Sequence, residues 1–393
     1  MPDGRESITI KVLSEISEAD AAGWDACSGA NEPDGNPFVG HAFLAALEAS
    51  GSVDVETGWQ PQHLVIEDDT GRIIGAAPIY LKSHSMGEYV FDYGWADAYE
   101  RAGGSYYPKL QAAVPFTPVM GPRLLARPGP GAERTHRMLI AGMMELTRRH
   151  GVSSLHVTFA TEADADRLEN AGFLIRHGHQ YHWHNKGYET FNDFLAALTS
   201  RKRKSIRRER RKVAEAGIEL RALTGDAITP LDWDTFYRFY ASTYDRKWGY
   251  PYLTREFFDI ISETIPDTAV LILADRDGVP VAGALNFRGG DALYGRNWGC
   301  AGNYKFLHFE ACYYSAIEFA IDHGLARVEA GTQGPHKLQR GYEPVSTFSA
   351  HYMPDAGFHE AVARFLAQES AGEAQEMEYL ADYGPYRRDD GGN

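Results

Sequence analysis

The strongest constraint on the fold is a hairpin that occurs twice. Apolar runs at 63–66 and 73–81 are joined by Glu67-Asp68-Asp69-Thr70-Gly71, and runs at 269–274 and 281–287 by Asp275-Arg276-Asp277-Gly278. An acidic residue or threonine before glycine, between apolar runs, marks a tight hairpin because glycine takes up the positive φ of the turn at no steric cost. The second arms also match: Gly75-Ala76-Ala77 in one, Gly283-Ala284-Leu285 in the other, each followed by a strand-helix-strand pattern. A spacing of roughly 200 residues is far beyond the 20–50 of a solenoid repeat. The pattern therefore predicts an α/β protein of two tandem domains, each a mixed central sheet flanked by helices.

Periodicity fills in the rest. Helices are expected at 18–27, 43–49, 133–150, 162–170, 233–244, 254–264 and 304–323. Strands are expected at 8–13, 89–93, 154–159, 292–298, 327–330 and 345–353, with an extended segment at 173–184. The expected division is a first domain over 1–186, a basic helical connector over 187–220, a second domain over 221–370 and a flexible acidic tail over 371–393. The 393 residues exceed one ordinary core, and 44% hydrophobic content can fill two. Three cysteines (Cys27, Cys300, Cys312) without CxxC spacing argue against structural zinc and for a reducing compartment. No signal-like or membrane-length apolar run is present, so the expectation is a cytoplasmic protein. The net charge of −15 argues against a general nucleic-acid coat protein.

The chemistry concentrates between 292 and 342. Strand, glycine-punctuated loop, helix and strand lead into Gly331-Thr332-Gln333-Gly334-Pro335-His336-Lys337-Leu338-Gln339-Arg340-Gly341. Ligands gather where strands end and helices begin. In that loop His336 is a candidate base, Gln333 and Lys337 are candidate catalytic groups, and Arg340 suits a phosphate or carboxylate. Within the helix, regular 100° spacing puts His308, Ser315, Glu318 and Asp322 on one side and Glu310 on the apolar side. A carboxylate there must be paired or hold a proton. Either it is a structural ion pair with an arginine such as Arg296 or Arg327, or it is a tuned acid/base or orienting group in the site. Trp298 and Tyr313 are candidates to line an apolar substrate pocket.

The first half carries Tyr106-Tyr107-Pro108-Lys109-Leu110, Val114-Pro115-Phe116-Thr117-Pro118 and Gly121-Pro122-Arg123-Leu124-Leu125. The second carries Leu307-His308-Phe309-Glu310, Cys312-Tyr313-Tyr314, the glycine-rich loop and Arg340-Gly341. With these motifs the chain resembles the FemAB-like branch of the GNAT acyltransferase superfamily, specifically the N-acyltransferases labelled peptidoglycan biosynthesis/recognition, over about 36–369. The resemblance implies transfer of an acyl or aminoacyl group to an amine by direct attack. It implies no tightly bound cofactor, with acyl-CoA favoured as donor and aminoacyl-tRNA as the alternative. A non-catalytic binding protein of the same fold is the rival of another class. The GNAT pyrophosphate pattern is met by Arg296, Gly299 and Ala301, with Gly302 next; glycines allow backbone N–H groups to approach phosphate.

Other groups have alternatives. The run 201–212 holds nine Lys/Arg in twelve positions. It is a solvated connector or a polyanion seat for tRNA, a nucleotide-linked precursor or coenzyme A phosphates. His177, His179, His182 and His184 alternate faces of an extended strand and lack nearby acids or cysteines, so no metal is expected. Lys109 is a candidate for binding an acidic group of the acceptor, with the first domain shaping acceptor binding and the second holding the reaction centre.

Overall fold

The computed structural model describes residues 8–245, 249–331 and 334–387. In chain order its strands and helices begin with β1 (Thr9–Leu13), α1 (Ala21–Ser28), α2 (His41–Ala49), β2 (Trp59–Pro61), β3 (His63–Glu67), β4 (Ile73–Ala77) and β5 (Ile79–Lys82). Next come α3 (Tyr93–Arg101), β6 (Lys109–Ala112), β7 (Leu125–Ala126), α4 (Ala132–His150), β8 (Leu155–Ala160), α5 (Glu162–Asn170) and β9 (Leu174–His184). The second half has α6 (Phe191–Ala197), α7 (Ser200–Glu215), β10 (Ile218–Thr224), α8 (Pro230–Asp245), α9 (Arg255–Thr264), β11 (Ala269–Arg276), β12 (Val279–Arg288) and β13 (Ala292–Cys300). It closes with α10 (Leu307–Phe309), a π turn (Glu310–Tyr314), α11 (Ser315–Asp322), β14 (Arg327–Glu329), a 3-10 helix (Pro335–Arg340), β15 (Glu343–Tyr352) and α12 (Ala356–Asp382).

The chain forms two contact-dense units. One holds 1–32, 36–178 and 347–374; the other holds 33–35, 179–346 and 375–393. The linear division expected from the sequence is therefore replaced by an interleaved one. The residues of β9 and β15 that cross the boundaries explain it. The end of β9 pairs with β14 in the second unit (Arg327 opposite His184), and the end of β15 pairs with β8 in the first (Tyr352 opposite Leu155). The supposed connector helix α7 belongs to the second unit, and helix α12 runs on to Asp382, into the segment expected to be a flexible tail.

Each unit has antiparallel strands leading into a parallel crossover. In the first, β5 pairs antiparallel with β6, and β6 pairs parallel with β8 across the α4 crossover. In the second, β11, β12 and β13 form an antiparallel meander, and β13 pairs parallel with β14 across the α10–α11 crossover. Pro78, lacking an amide hydrogen, separates β4 from β5. The first core sets Leu139, Ile140, Met143 and Leu146 of α4 against β3, β6 and β8; the second sets Ile317, Ala320 and Ile321 of α11 against Trp183, Leu293 and Val328. No helix among the described residues is long and apolar enough to cross a membrane.

The strand expected at 89–93 does not form. Tyr89 has φ of +62°, and α3 begins at Tyr93. The cause is tertiary: Glu88 and Asp92 are drawn inward to Lys109, whose Nζ donates to Glu88 at 2.7 Å, to Ser85 Oγ at 2.8 Å and to Asp92. Lys109 is 0% exposed, so it is not a free binder of an acidic substrate group, contrary to the sequence reading. Burial opposes its charge, but the two carboxylates outweigh burial and raise its pKa. Burial likewise lifts Glu88 to about 7, whereas Lys109 and His156 overcome burial to hold Asp92 well below the usual carboxylate range. Lys82, stacked 3.6 Å above the Trp59 ring, is lowered by burial to about 7.

Two outcomes test this packing. Lys109→Met leaves two buried carboxylates without their cation and should cost about 3–5 kcal/mol, read as a fall in the urea midpoint. A Cβ at Gly299 would come within 2.3 Å of the Phe239 backbone on α8. Gly299→Ala should therefore cost about 1–3 kcal/mol by overpacking; an unchanged melting temperature would refute the account.

Candidate active site

The loop after β14 and the helix start before the π turn converge on one aromatic and cationic cluster in the second unit. Phe306 has φ of +67°, which turns the chain sharply into α10. His308, Phe309 and Tyr313 then face the 3-10 helix. Tyr313 Oη and His336 Nε2 share a hydrogen bond at 3.0 Å. The His308 ring lies 5.3 Å from both Trp298 and Tyr313, and the Phe309 ring 5.6 Å from His336. Of the residues singled out in sequence, the structure brings together His336, Lys337, Arg340, Trp298 and Tyr313. Gln333 lies outside the described residues.

Arg340 pins this arrangement. Its guanidinium sits 3.4 Å over the Phe309 ring, donates to the His336 carbonyl at 2.8 Å and to Glu209 Oε2 at 3.0 Å. Tyr314 donates to the same Glu209 oxygen at 2.5 Å. Arg340 is 7% exposed and Glu209 equally so, which makes this a buried, shared charge pair and not a free phosphate ligand. Lys337 is buried too; its Nζ donates to the carbonyls of Ala330 at 2.5 Å and Gly331 at 3.0 Å. Burial lowers Lys337 to about 8. It therefore ties the loop to the end of β14.

The electrostatics favour neutral imidazoles. Burial, then the charges of Arg340 and Lys337, lower the pKa of exposed-edge His336. Burial and the same cationic neighbours lower His308 to about 4. Burial pushes the Cys312 thiol well up, which suits a packing residue better than a nucleophile. Neutral His336, hydrogen-bonded through one nitrogen and at the surface, is the group here equipped to accept a proton.

Glu310 does not join this cluster. Its Oε1 accepts from Arg210 Nε at 2.9 Å, and Arg210 reaches Glu318 at 2.8 Å through its other arm. The ion-pair reading is correct in kind, but the partner is Arg210 and neither Arg296 nor Arg327. The π turn explains the misplacement: spreading hydrogen bonds over an extra residue slips the helical phase. Glu310 is thereby carried onto the face of Ser315, Glu318 and Asp322, which regular spacing sets opposite it. His308, assigned by that spacing to a solvent stripe, instead joins the cluster. Glu209 and Arg210 were hidden in the basic run. A signal did exist: Glu209 is the sole acid of 201–212 and lies three residues after buried Ile206 and four before buried Val213.

The glycine pattern also lies elsewhere than expected. Arg296 and Gly299 are inside β13, and Ala301 N–H is committed to the Val281 carbonyl at 2.8 Å. Gly302 follows the strand, yet the helix begins only at Leu307. Gly299 faces Gly283 across the ladder, and the missing side chains admit Phe239 and Phe236 of α8. Close helix packing, and no helix N-terminus, accounts for these glycines. Among the described residues no group of three or more His, Cys, Asp or Glu suits a metal ion.

A family model, FemAB-like, described as peptidoglycan biosynthesis/recognition, matches residues 15–388. A search of curated proteins returns no match. Among solved structures, FemX is similar at a TM-score of 0.56 and 12% identity, covering 88% of this chain and 98% of FemX. A conserved protein of unknown function from Bacteroides thetaiotaomicron aligns at a TM-score of 0.51 and 11% identity, covering 87% and 99%. L-PGS from Bacillus licheniformis aligns at 0.50 and 10% identity, covering 82% and 95%. At such identities the likeness establishes the fold, whereas the family match spans nearly the whole sequence. The chain belongs to the FemAB-like family.

Proposed function

We propose that this protein transfers an acyl or aminoacyl group from a polyanionic carrier directly to an amine acceptor, with His336 as the base that takes the proton of the attacking amine. The observation that carries this reading is the His336–Tyr313 pair at 3.0 Å. Its imidazole is kept neutral by burial and by adjacent Arg340 and Lys337, at the surface of a cluster in which Lys337 is tied to two backbone carbonyls and Arg340 to Glu209. An incoming ammonium must lose a proton before it attacks a carbonyl, and a neutral imidazole does this near pH 7. Trp298, His308 and Phe309 would flank the acyl portion and limit water.

The carrier is read from α7. Arg201, Lys204, Arg207, Arg208, Arg211 and Lys212 are exposed along a helix of sixteen residues, roughly 24 Å long. Such a cationic track on a chain of net charge −15 supports a nucleic-acid carrier such as aminoacyl-tRNA. It extends further than the phosphates of a coenzyme A donor require, and the glycine pattern that favoured acyl-CoA is occupied in strand packing.

His336→Ala should lower kcat by about 10²–10⁴-fold while leaving the fold intact by circular dichroism; full turnover would remove the base from this mechanism. Replacing Arg201, Lys204 and Arg208 together by Gln should weaken tRNA binding and reduce the slope of log affinity against log salt by about two to three. Unchanged tRNA binding with impaired use of acyl-CoA would reverse the choice of carrier. Arg340→Gln removes a cation that depresses His336, so the imidazole pKa should rise in an NMR titration. The acid limb of the rate profile should move to higher pH with it.

A further inference from the structure

The second unit also carries a cavity of about 440 Å³ whose lining includes none of the His336 cluster. Its floor is apolar: Leu220 and Ala222 from one face of β10, Ile272 from β11 and Phe319 from α11. Its wall is acidic, with Glu310, Glu318 and Asp322. The Arg210 guanidinium in that wall is committed to Glu310 at 2.9 Å and Glu318 at 2.8 Å. Three carboxylates against one guanidinium leave a local charge of −2 when all are ionised.

Glu310 makes this more than a collection of acids. It is only 5% exposed, and its second carboxylate oxygen has no hydrogen-bond partner. A buried carboxylate oxygen is costly to leave without a donor. The residue is set in the π turn, an irregularity that tends to mark functional sites in helices. Metal is a poor fit, since no group of three suitable ligands occurs among the described residues. The acidic wall and apolar floor suit a compact cation with several N–H donors and a hydrocarbon stem.

We propose that this cavity is a binding site for a primary alkylammonium group. The ammonium donates to Glu310 and Glu318, with Asp322 adding negative potential at the edge, and the carbon stem lies on Leu220, Ala222, Ile272 and Phe319. An ammonium presents three donors from one atom, so it can serve carboxylates on different turns at once. Recognition here requires neither a donor substrate nor turnover. The site therefore stands or falls separately from the transfer reaction.

The test is calorimetric titration of the full-length protein with n-pentylamine, with n-pentanol as the neutral control of similar shape, at constant ionic strength. Pentylamine should bind saturably and at least about tenfold more tightly than pentanol, as expected for charge-assisted hydrogen bonds. Glu310→Gln, which keeps an acceptor for Arg210, should weaken the amine about tenfold and leave pentanol unchanged. Should that variant fail to fold, Glu318→Gln serves in its place, because the Glu318 side chain is 42% exposed and tolerant of change. Equal binding of amine and alcohol, or undiminished amine affinity in Glu318→Gln, overturns the proposal.

Discussion

The crossover between β13 and β14 must place a helix over a parallel strand pair, and its π turn decides which side chains meet. Ahead of the turn, His308 and Phe309 reach the loop that follows β14. Inside it, Glu310 and Tyr314 point toward α7, where Arg210 and Glu209 receive them. After it, Ile317, Ala320 and Ile321 return to the core. A regular helix through the same residues would put Glu310 among the apolar groups, with a buried charge to neutralise. The added residue lets one segment serve a core, a charged pair and an imidazole cluster.

Both units bury charge, and they solve the problem differently. In the first, Lys109, Glu88 and Asp92 form a fully buried set, with nothing left at the surface for a substrate. In the second, the Glu209–Arg340 pair is equally buried, but Arg340 holds the His336 carbonyl and stacks on Phe309. The charge there fixes the backbone that presents an imidazole. Removing a partner leaves an uncompensated ion in either case. Only in the second is the pair attached to an imidazole that reaches the surface, since His156 beside Asp92 is buried. This asymmetry is the physical basis for the proposal that the reaction centre lies in the second unit.

Much of this was legible in sequence, for reasons that vary by element. The hairpins and the helices at 133–150 and 162–170 follow from turn chemistry, periodicity and caps such as Thr161, whose side chain accepts from Asp164 N–H. His336, Tyr313 and Arg340 could be marked because reactive side-chain types crowd a strand end. The interleaving of the units was not legible, since pairing partners of β9 and β15 are set by distant residues. Nor was the π turn, because five residues with ordinary helix-forming character carry no local sign of an extra residue. The 89–93 segment alternates like a strand, yet the pull of Lys109 on Glu88 and Asp92 overrides that local preference. Arg296, Gly299 and Ala301 match a phosphate pattern by spacing alone. A glycine that clears space for a phosphate and one that clears space for a helix look identical in sequence.

That last ambiguity bears on the chemistry. If the glycines belong to packing, phosphate recognition must come from elsewhere in the unit, and α7 supplies exposed cations without drawing on the Arg340 pair. Its inward residues Ile206, Glu209 and Val213 anchor it, while its outward cations stay solvated. Binding a carrier on that outer face would leave the buried pair intact, so His336 would keep its neutral state as the donor arrives. A polyanion brought close to the imidazole would raise its pKa and favour the charged form, so a neutral base gains from such separation. Arg340 lies close enough to depress the imidazole and is held by Glu209, whereas the exposed cations of α7 are turned to solvent.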